Sequence, residues 1–163
     1  MQKITPFLWF DRDAEAAVEF YLSVFKQGKI LQRTHYSDVA AGPRSWPPPG
    51  TVMTVEFELF GQTFTALNGG PVFKFNEAIS FVVRCRTQRE VDTYWKKLTA
   101  GGGRAVQCGW LRDKFGVSWQ IVPTVLIDLL GSPDRAKAAR VTQAMLAMKK
   151  LEIKRLKQAA ATK

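Results

Sequence analysis

Polar and apolar positions along this chain fall into two rhythms. The first is alternation. Between Thr51 and Leu59, Met53, Val55, Phe57 and Leu59 point one way while Thr54, Glu56 and Glu58 point the other, the period of a half-buried strand. Ile4 to Phe10, Lys29 to Tyr36, Thr63 to Asn68 and Ala78 to Cys85 also read as strands, from their β-branched and aromatic content and their bounding turns. The second rhythm is helical. Ala17, Phe20, Tyr21, Val24 and Phe25 recur at helical spacing from Asp13 to Gln27, with Gly28 as the stop. Val91, Tyr94, Trp95 and Leu98 do the same from Gln88 to Ala100, before Gly101-Gly102-Gly103 breaks the pattern.

The turns set which side chains share a face. Phe60-Gly61-Gln62 predicts a three-residue hairpin loop with Gly61 at positive φ. That length places Thr54, Glu56, Ala66 and Asn68 on one face, whereas a two-residue loop reverses the parity and sends Asn68 into the core. Arg104 to Leu111 and Val117 to Val122 predict a closing hairpin around Arg112-Asp113-Lys114-Phe115-Gly116. With five loop residues Cys108 falls opposite Gln120, and Trp110 opposite Ser118, while Trp119 and Ile121 face the helices. Strand, helix and strands thus occur twice, roughly 75 residues apart, and such an internal repeat says more about the fold than any single element.

Beyond Pro123 the chain turns helical from Thr124 to Leu130. Ser132-Pro133-Asp134 then opens another helix, with Ser at the cap and Pro in the first turn. Val141, Met145 and Met148 mark its apolar face, and Leu151, Ile153 and Leu156 continue after a break. This tail is read as a clasp across the domain or onto a second subunit, with a helix-in-groove partner motif as the alternative. The proline-rich stretch Ser37 to Gly50 is either a lid carrying Trp46 or an unstructured excursion. The pattern divides the chain into a domain over 1–131, with modules at about 3–71 and 77–123, and a helical extension over 132–163.

Composition narrows the class. The chain has 163 residues, 46% of them hydrophobic, enough for a sizeable core. No apolar run is long enough to cross a bilayer, and the N-terminus reaches Asp11 too soon for a secretory signal, so a cytoplasmic protein is expected. Cys85 and Cys108 lack CxxC spacing and read as free thiols. The net charge of +10 invites a nucleic-acid reading, but from Asp134 onward nine Lys or Arg face two acids, a surplus of +7. That charge belongs to helix faces and has no binding motif beside it, so neither nucleic acid nor membrane is the expected partner.

Three stretches carry a resemblance: ITPFLWFD, LNGGPVFKFNEAISF and CGWLRDKFGVSWQIVP. With the repeat, they make the chain similar to the vicinal oxygen chelate superfamily, which includes glyoxalase I, bleomycin-resistance proteins and extradiol dioxygenases. Within it the chain resembles the PhnB-like branch, labelled 3-demethylubiquinone-9 3-methyltransferase-like, over about Lys3 to Leu151. The resemblance implies an α+β fold of two βαβββ modules, each a curved mixed sheet with a helix behind it. The concave faces would form a cleft, commonly completed by homodimerisation, and C-terminal helices would be added.

Metal-dependent members of that superfamily take one ligand, His or Glu, from each of four strands. The corresponding positions here fall near Thr5, near Asn68, at Ala78 or Ser80, and at Gln120. None is an ionisable ligand, and amides and hydroxyls alone hold a divalent metal weakly, so no metal is expected. The one histidine, His35, is read as a surface or edge-strand residue. The first strand runs into Asp11-Arg12-Asp13 with no glycine loop, so S-adenosylmethionine is not implied and no cofactor is expected.

The residues expected to line a small-molecule site are Thr5, Trp9, Thr54, Glu56, Asn68, Ser80, Cys108, Trp110, Ser118 and Gln120. Glu56 is a general base if burial raises its pKa, and otherwise a solvated strand carboxylate. Cys108 is a nucleophile only beside a cationic or histidine neighbour, and otherwise an inert thiol. Three functions follow: a metal-free small-molecule-binding homodimer, a lyase, isomerase or oxygenase on the same fold, or an interaction protein working through its basic helices. The missing ligand set favours the first.

Overall fold

The structure is a computed structural model describing residues 2–37 and 47–162. The Trp46 lid expectation lies outside the described residues. The chain divides into two units, 1–75 and 76–163.

In the first unit the order is β1 (Phe7–Phe10), α1 (Ala14–Phe25), β2 (Gly28–His35), β3 (Val52–Leu59) and β4 (Gln62–Asn68). The sheet runs β1-β4-β3-β2, with β1 parallel to β4 and the other pairs antiparallel. In the second unit β5 (Phe81–Cys85), α2 (Gln88–Leu98), β6 (Arg104–Ala105), β7 (Trp110–Arg112) and β8 (Ser118–Pro123) make a sheet ordered β5-β8-β7-β6. Its first strand is again parallel to its last. The same βαβββ unit is therefore built twice, as the repeat predicts, and the fold is α+β with two mixed four-stranded sheets. His35 is exposed on β2, an edge strand.

Alternation decides which face of each sheet meets the helix. In the first sheet Leu8, Phe10, Val55, Phe57, Leu59, Phe64 and Ala66 are buried, with Ala17, Val18 and Tyr21 of α1. In the second, Leu111, Trp119 and Ile121 are buried with Val91 and Leu98 of α2. The remaining strand positions form the opposite, open face.

Two turns correct the predicted register. Leu59 pairs with Gln62, so the β3–β4 hairpin has a two-residue turn, Phe60-Gly61, with φ of 51° and 80°. A tight turn with both central residues left-handed matches the twist of the flanking strands. Even non-glycine Phe60 accepts that conformation, and its ring meets Phe25 with centroids 5.9 Å apart. The parity reverses: Thr54 opposes Leu67, Glu56 opposes Thr65, and Asn68 turns to the helix side.

The closing hairpin keeps five loop residues but starts one residue later, because Asp113 organises the turn. Asp113 is buried, and its carboxylate accepts the amides of Phe115 and Val117 and the indole N–H of Trp119 at 2.8–3.0 Å. Trp110 therefore opposes Gln120, and Arg112 opposes Ser118. The predicted strand Arg104 to Leu111 is interrupted after Ala105, and Cys108 sits in the interruption with φ 56°.

Helix ends also differ from the local signals. The chain leaves α1 through Lys26, in the left-handed conformation, rather than at Gly28. α2 begins with a reciprocal cap, in which Thr87 Oγ1 accepts the Glu90 amide and the Glu90 carboxylate accepts the Thr87 amide. The C-terminal helices are α3 (Thr124–Leu130), α4 (Arg135–Leu146) and α5 (Ile153–Ala161). Asp134, not Ser132, caps α4 by accepting the Lys137 amide. Leu126, Val141, Met148, Leu151 and Leu156 form a core of their own among these helices. No helix among the described residues is long and apolar enough to cross a membrane.

Candidate functional site

The open face of the second sheet holds the densest set of expected residues. Trp110 and Gln120 are half-buried partners in neighbouring strands, and Arg112 and Ser118 form the next pair. Gln120 donates its amide to Ser80 Oγ at 2.8 Å. Ser118 is 2% exposed, yet its hydroxyl has no hydrogen-bond partner, the one such buried side-chain atom among the described residues. Arg112 donates its Nε–H to the carbonyl of Gly116 at 3.2 Å and lies 3.9 Å from Glu77. It brings positive charge to this row. The sequence pattern assigns Arg112 to the loop, although its alternation with Trp110 is a signal that places it on this strand.

Cys108 does not join this face. Its amide donates to the carbonyl of Met148 at 2.8 Å, and the Gly109 amide donates to Lys149 at 2.7 Å, so this stretch is held by the C-terminal segment. No histidine lies on any strand of this unit to activate the thiol. Cys85 is fully buried, and burial first, then the Glu90 carboxylate, pushes its thiol up to about 12. A thiol so raised is not a nucleophile at neutral pH.

The first sheet has its own open face. Trp9 lies there because Leu8 and Phe10 point to α1. Its indole N–H donates to the Gly70 carbonyl at 2.9 Å, and its ring meets Phe73 edge-on at 4.9 Å. Gly69 passes so close beneath the indole that a Cβ there would lie 2.3 Å from the ring. Thr54 and Thr34 share a hydroxyl hydrogen bond of 2.6 Å. Glu56 is half-buried and opposes Gln32 and Thr65. Among the described residues no hydrogen bond or ion pair orients it. Thr5 precedes β1 and is half-buried.

Asn68 is the residue that moves furthest from its expected role. It is 7% exposed, accepts the Ala14 amide at 2.9 Å and donates to the Val52 carbonyl at 3.0 Å. Asp13 makes no side-chain cap, so a strand residue caps α1 in its place.

The metal pattern of the superfamily does not fit these residues. Asn68 faces the helix, Gln120 is engaged with Ser80, and Thr5 and Ser80 offer only neutral hydroxyls. Among the described residues no three His, Cys, Asp or Glu side chains are grouped to hold an ion.

Comparison with known proteins agrees with this architecture. The family model for 3-demethylubiquinone-9 3-methyltransferase matches residues 2–122. Among solved structures, the PhnB protein from Bacillus cereus is 36% identical, with 75% of this chain and 99% of that chain covered and a TM-score of 0.65. Protein PA1353 from Pseudomonas aeruginosa is 16% identical, with 76% and 98% covered and a TM-score of 0.59, a likeness of fold alone. Among curated proteins nothing matches the chain. With a family match over most of its length and the βαβββ unit built twice, the chain belongs to the 3-demethylubiquinone-9 3-methyltransferase family, in its PhnB-like branch.

Proposed function

We propose that this chain is a metal-free small-molecule-binding protein, and that its ligand lies on the open face of the second sheet. The ligand is amphipathic, with an apolar or aromatic body against Trp110 and a polar group met by Gln120 and Ser80. The observation that carries this reading is the Trp110–Gln120 pair on the open face, where the Gln120 amide reaches Ser80 Oγ. Amides and hydroxyls set beside an indole suit recognition of neutral polar groups better than they suit a metal.

The methyltransferase label of the family gains no support from this chain. β1 leads into α1 through Asp11-Arg12-Asp13, with no glycine loop, and the first strand pairs in parallel only with the fourth. Among the described residues no hydrogen bond or ion pair orients Glu56 for catalysis. A second copy of the chain is the proposed partner. Ile4, Phe7, Val72 and Phe73 expose 59–86% of their surface beside or on β1, an edge strand, and such a patch is what a homodimer covers. Two free thiols, one fully buried, fit a reducing cytoplasm.

The test is a thermal-shift screen of amphipathic aromatic compounds against the purified chain, with elemental analysis of the same sample. Compounds that stabilise the wild type are expected to lose at least about tenfold in affinity, about 1.4 kcal/mol, against Trp110→Ala and Gln120→Leu. Stoichiometric zinc, iron or nickel in the purified chain would overturn the metal-free reading.

A further inference from the structure

A second candidate site lies outside both sheets. A groove of about 790 Å³ runs between the first turns of α2 and the length of α5. Gln88 and Asp92 come from α2; Lys150, Ile153, Lys154 and Lys157 come from the C-terminal segment. All of it belongs to the second unit. α5 lies beyond residue 122, where the family match ends.

The walls are fixed rather than loosely apposed. The Gln88 side chain accepts the Ile153 amide at 2.8 Å and donates to the Leu151 carbonyl at 3.2 Å. Lys150 reaches Asp92 at 2.5 Å, which neutralises the one carboxylate on the α2 side. Leu151 and Leu156 anchor the segment from beneath, in the helical core. The groove therefore exists before anything binds, and little ordering is left to oppose association.

Three lysines and two carboxylates line the groove, within a strongly basic unit. The first unit has seven basic and seven acidic residues, whereas the second has 17 basic and seven acidic, so the whole net charge of +10 belongs to the second unit. On the groove itself Glu152 is met by Arg155 at 3.9 Å. Lys154 and Lys157, one helical turn apart and both exposed, have no carboxylate partner among the described residues. Ile153 gives the groove an apolar floor between these cations and Gln88.

We infer that this groove docks an acidic segment of a partner protein, with an apolar side chain on Ile153 and carboxylates on Lys154 and Lys157. Charge complementarity selects the sign of the partner and speeds encounter, and the apolar floor supplies contact that charge alone does not. A peptide is favoured over single-stranded nucleic acid because no aromatic side chain lines the groove for bases to stack upon. The inference is independent of the ligand proposed for the open sheet face.

The experiment is fluorescence anisotropy with the full chain and a short labelled peptide of glutamates around a central leucine pair. Binding is expected, and Lys154→Glu with Lys157→Glu should weaken it by about tenfold or more. Ile153→Ser should weaken it severalfold, and replacing the leucines by serines should do the same. A charge-matched control in the first unit, Lys26→Glu with Lys29→Glu, should leave it within about twofold, with circular dichroism confirming that every variant folds. Equal loss in the control, indifference to the leucines, or tighter binding of a labelled oligonucleotide or of anionic vesicles overturns the inference.

Discussion

Asn68 shows how one residue can belong to the core rather than the site. Its amide group satisfies the first free amide of α1 and a carbonyl of β3 at once, inside a buried environment. Asn68→Ala leaves both groups without a partner and is expected to cost about 2 kcal/mol, read as a lower urea midpoint with unchanged slope. Gly69 is constrained for a different reason. Gly69→Ala must displace the Trp9 indole, and it should cost about 1–3 kcal/mol and shift tryptophan fluorescence. Cys85 gives a pH signature. Between its ordinary value of 9.0 and about 12, the unfolded chain has released the thiol proton while the folded chain keeps it. Stability should therefore fall as pH rises through that window, and Cys85→Ala should flatten this alkaline limb in denaturant titrations.

At the scale of elements, the alternating and helical rhythms located nearly every strand and helix, because burial on one face writes itself into the chain with period two or 3.6. Parity across hairpins was less legible. It depends on one residue of turn length, and Phe60 gives no local sign that it will accept a left-handed conformation. The closing hairpin was predicted two positions out in pairing, yet its facing residues survived, since a shift of two preserves parity. Trp110, Ser118 and Gln120 stayed together for that reason. Cys108 was lost because the interruption before β7 is imposed by a distant segment, through the Met148 and Lys149 carbonyls. That docking has an energetic counterpart. Leu156 is fully buried in the C-terminal helical core, so Leu156→Ala should cost about 2–5 kcal/mol in chemical denaturation.

For the whole molecule, two units of one topology divide the work unevenly. The first unit is electrically neutral and exposes an apolar set beside its edge strand β1. The second holds the entire net charge, the Gln120–Ser80 pair and the added helices. A homodimer through the first unit predicts that Phe7→Glu with Phe73→Glu shifts the sedimenting species from dimer to monomer. An unchanged dimer would place the interface elsewhere. The central claim, that the open face of the second sheet holds a small molecule without a metal, is tested most directly by native mass spectrometry of the chain, freshly purified and then incubated with the compounds that stabilise it. A discrete non-metal adduct is predicted on the wild type, reduced at least about tenfold in Gln120→Leu and in Trp110→Ala while both variants stay folded. A wild type that carries no adduct under either condition, or an adduct that both variants retain in full, contradicts it.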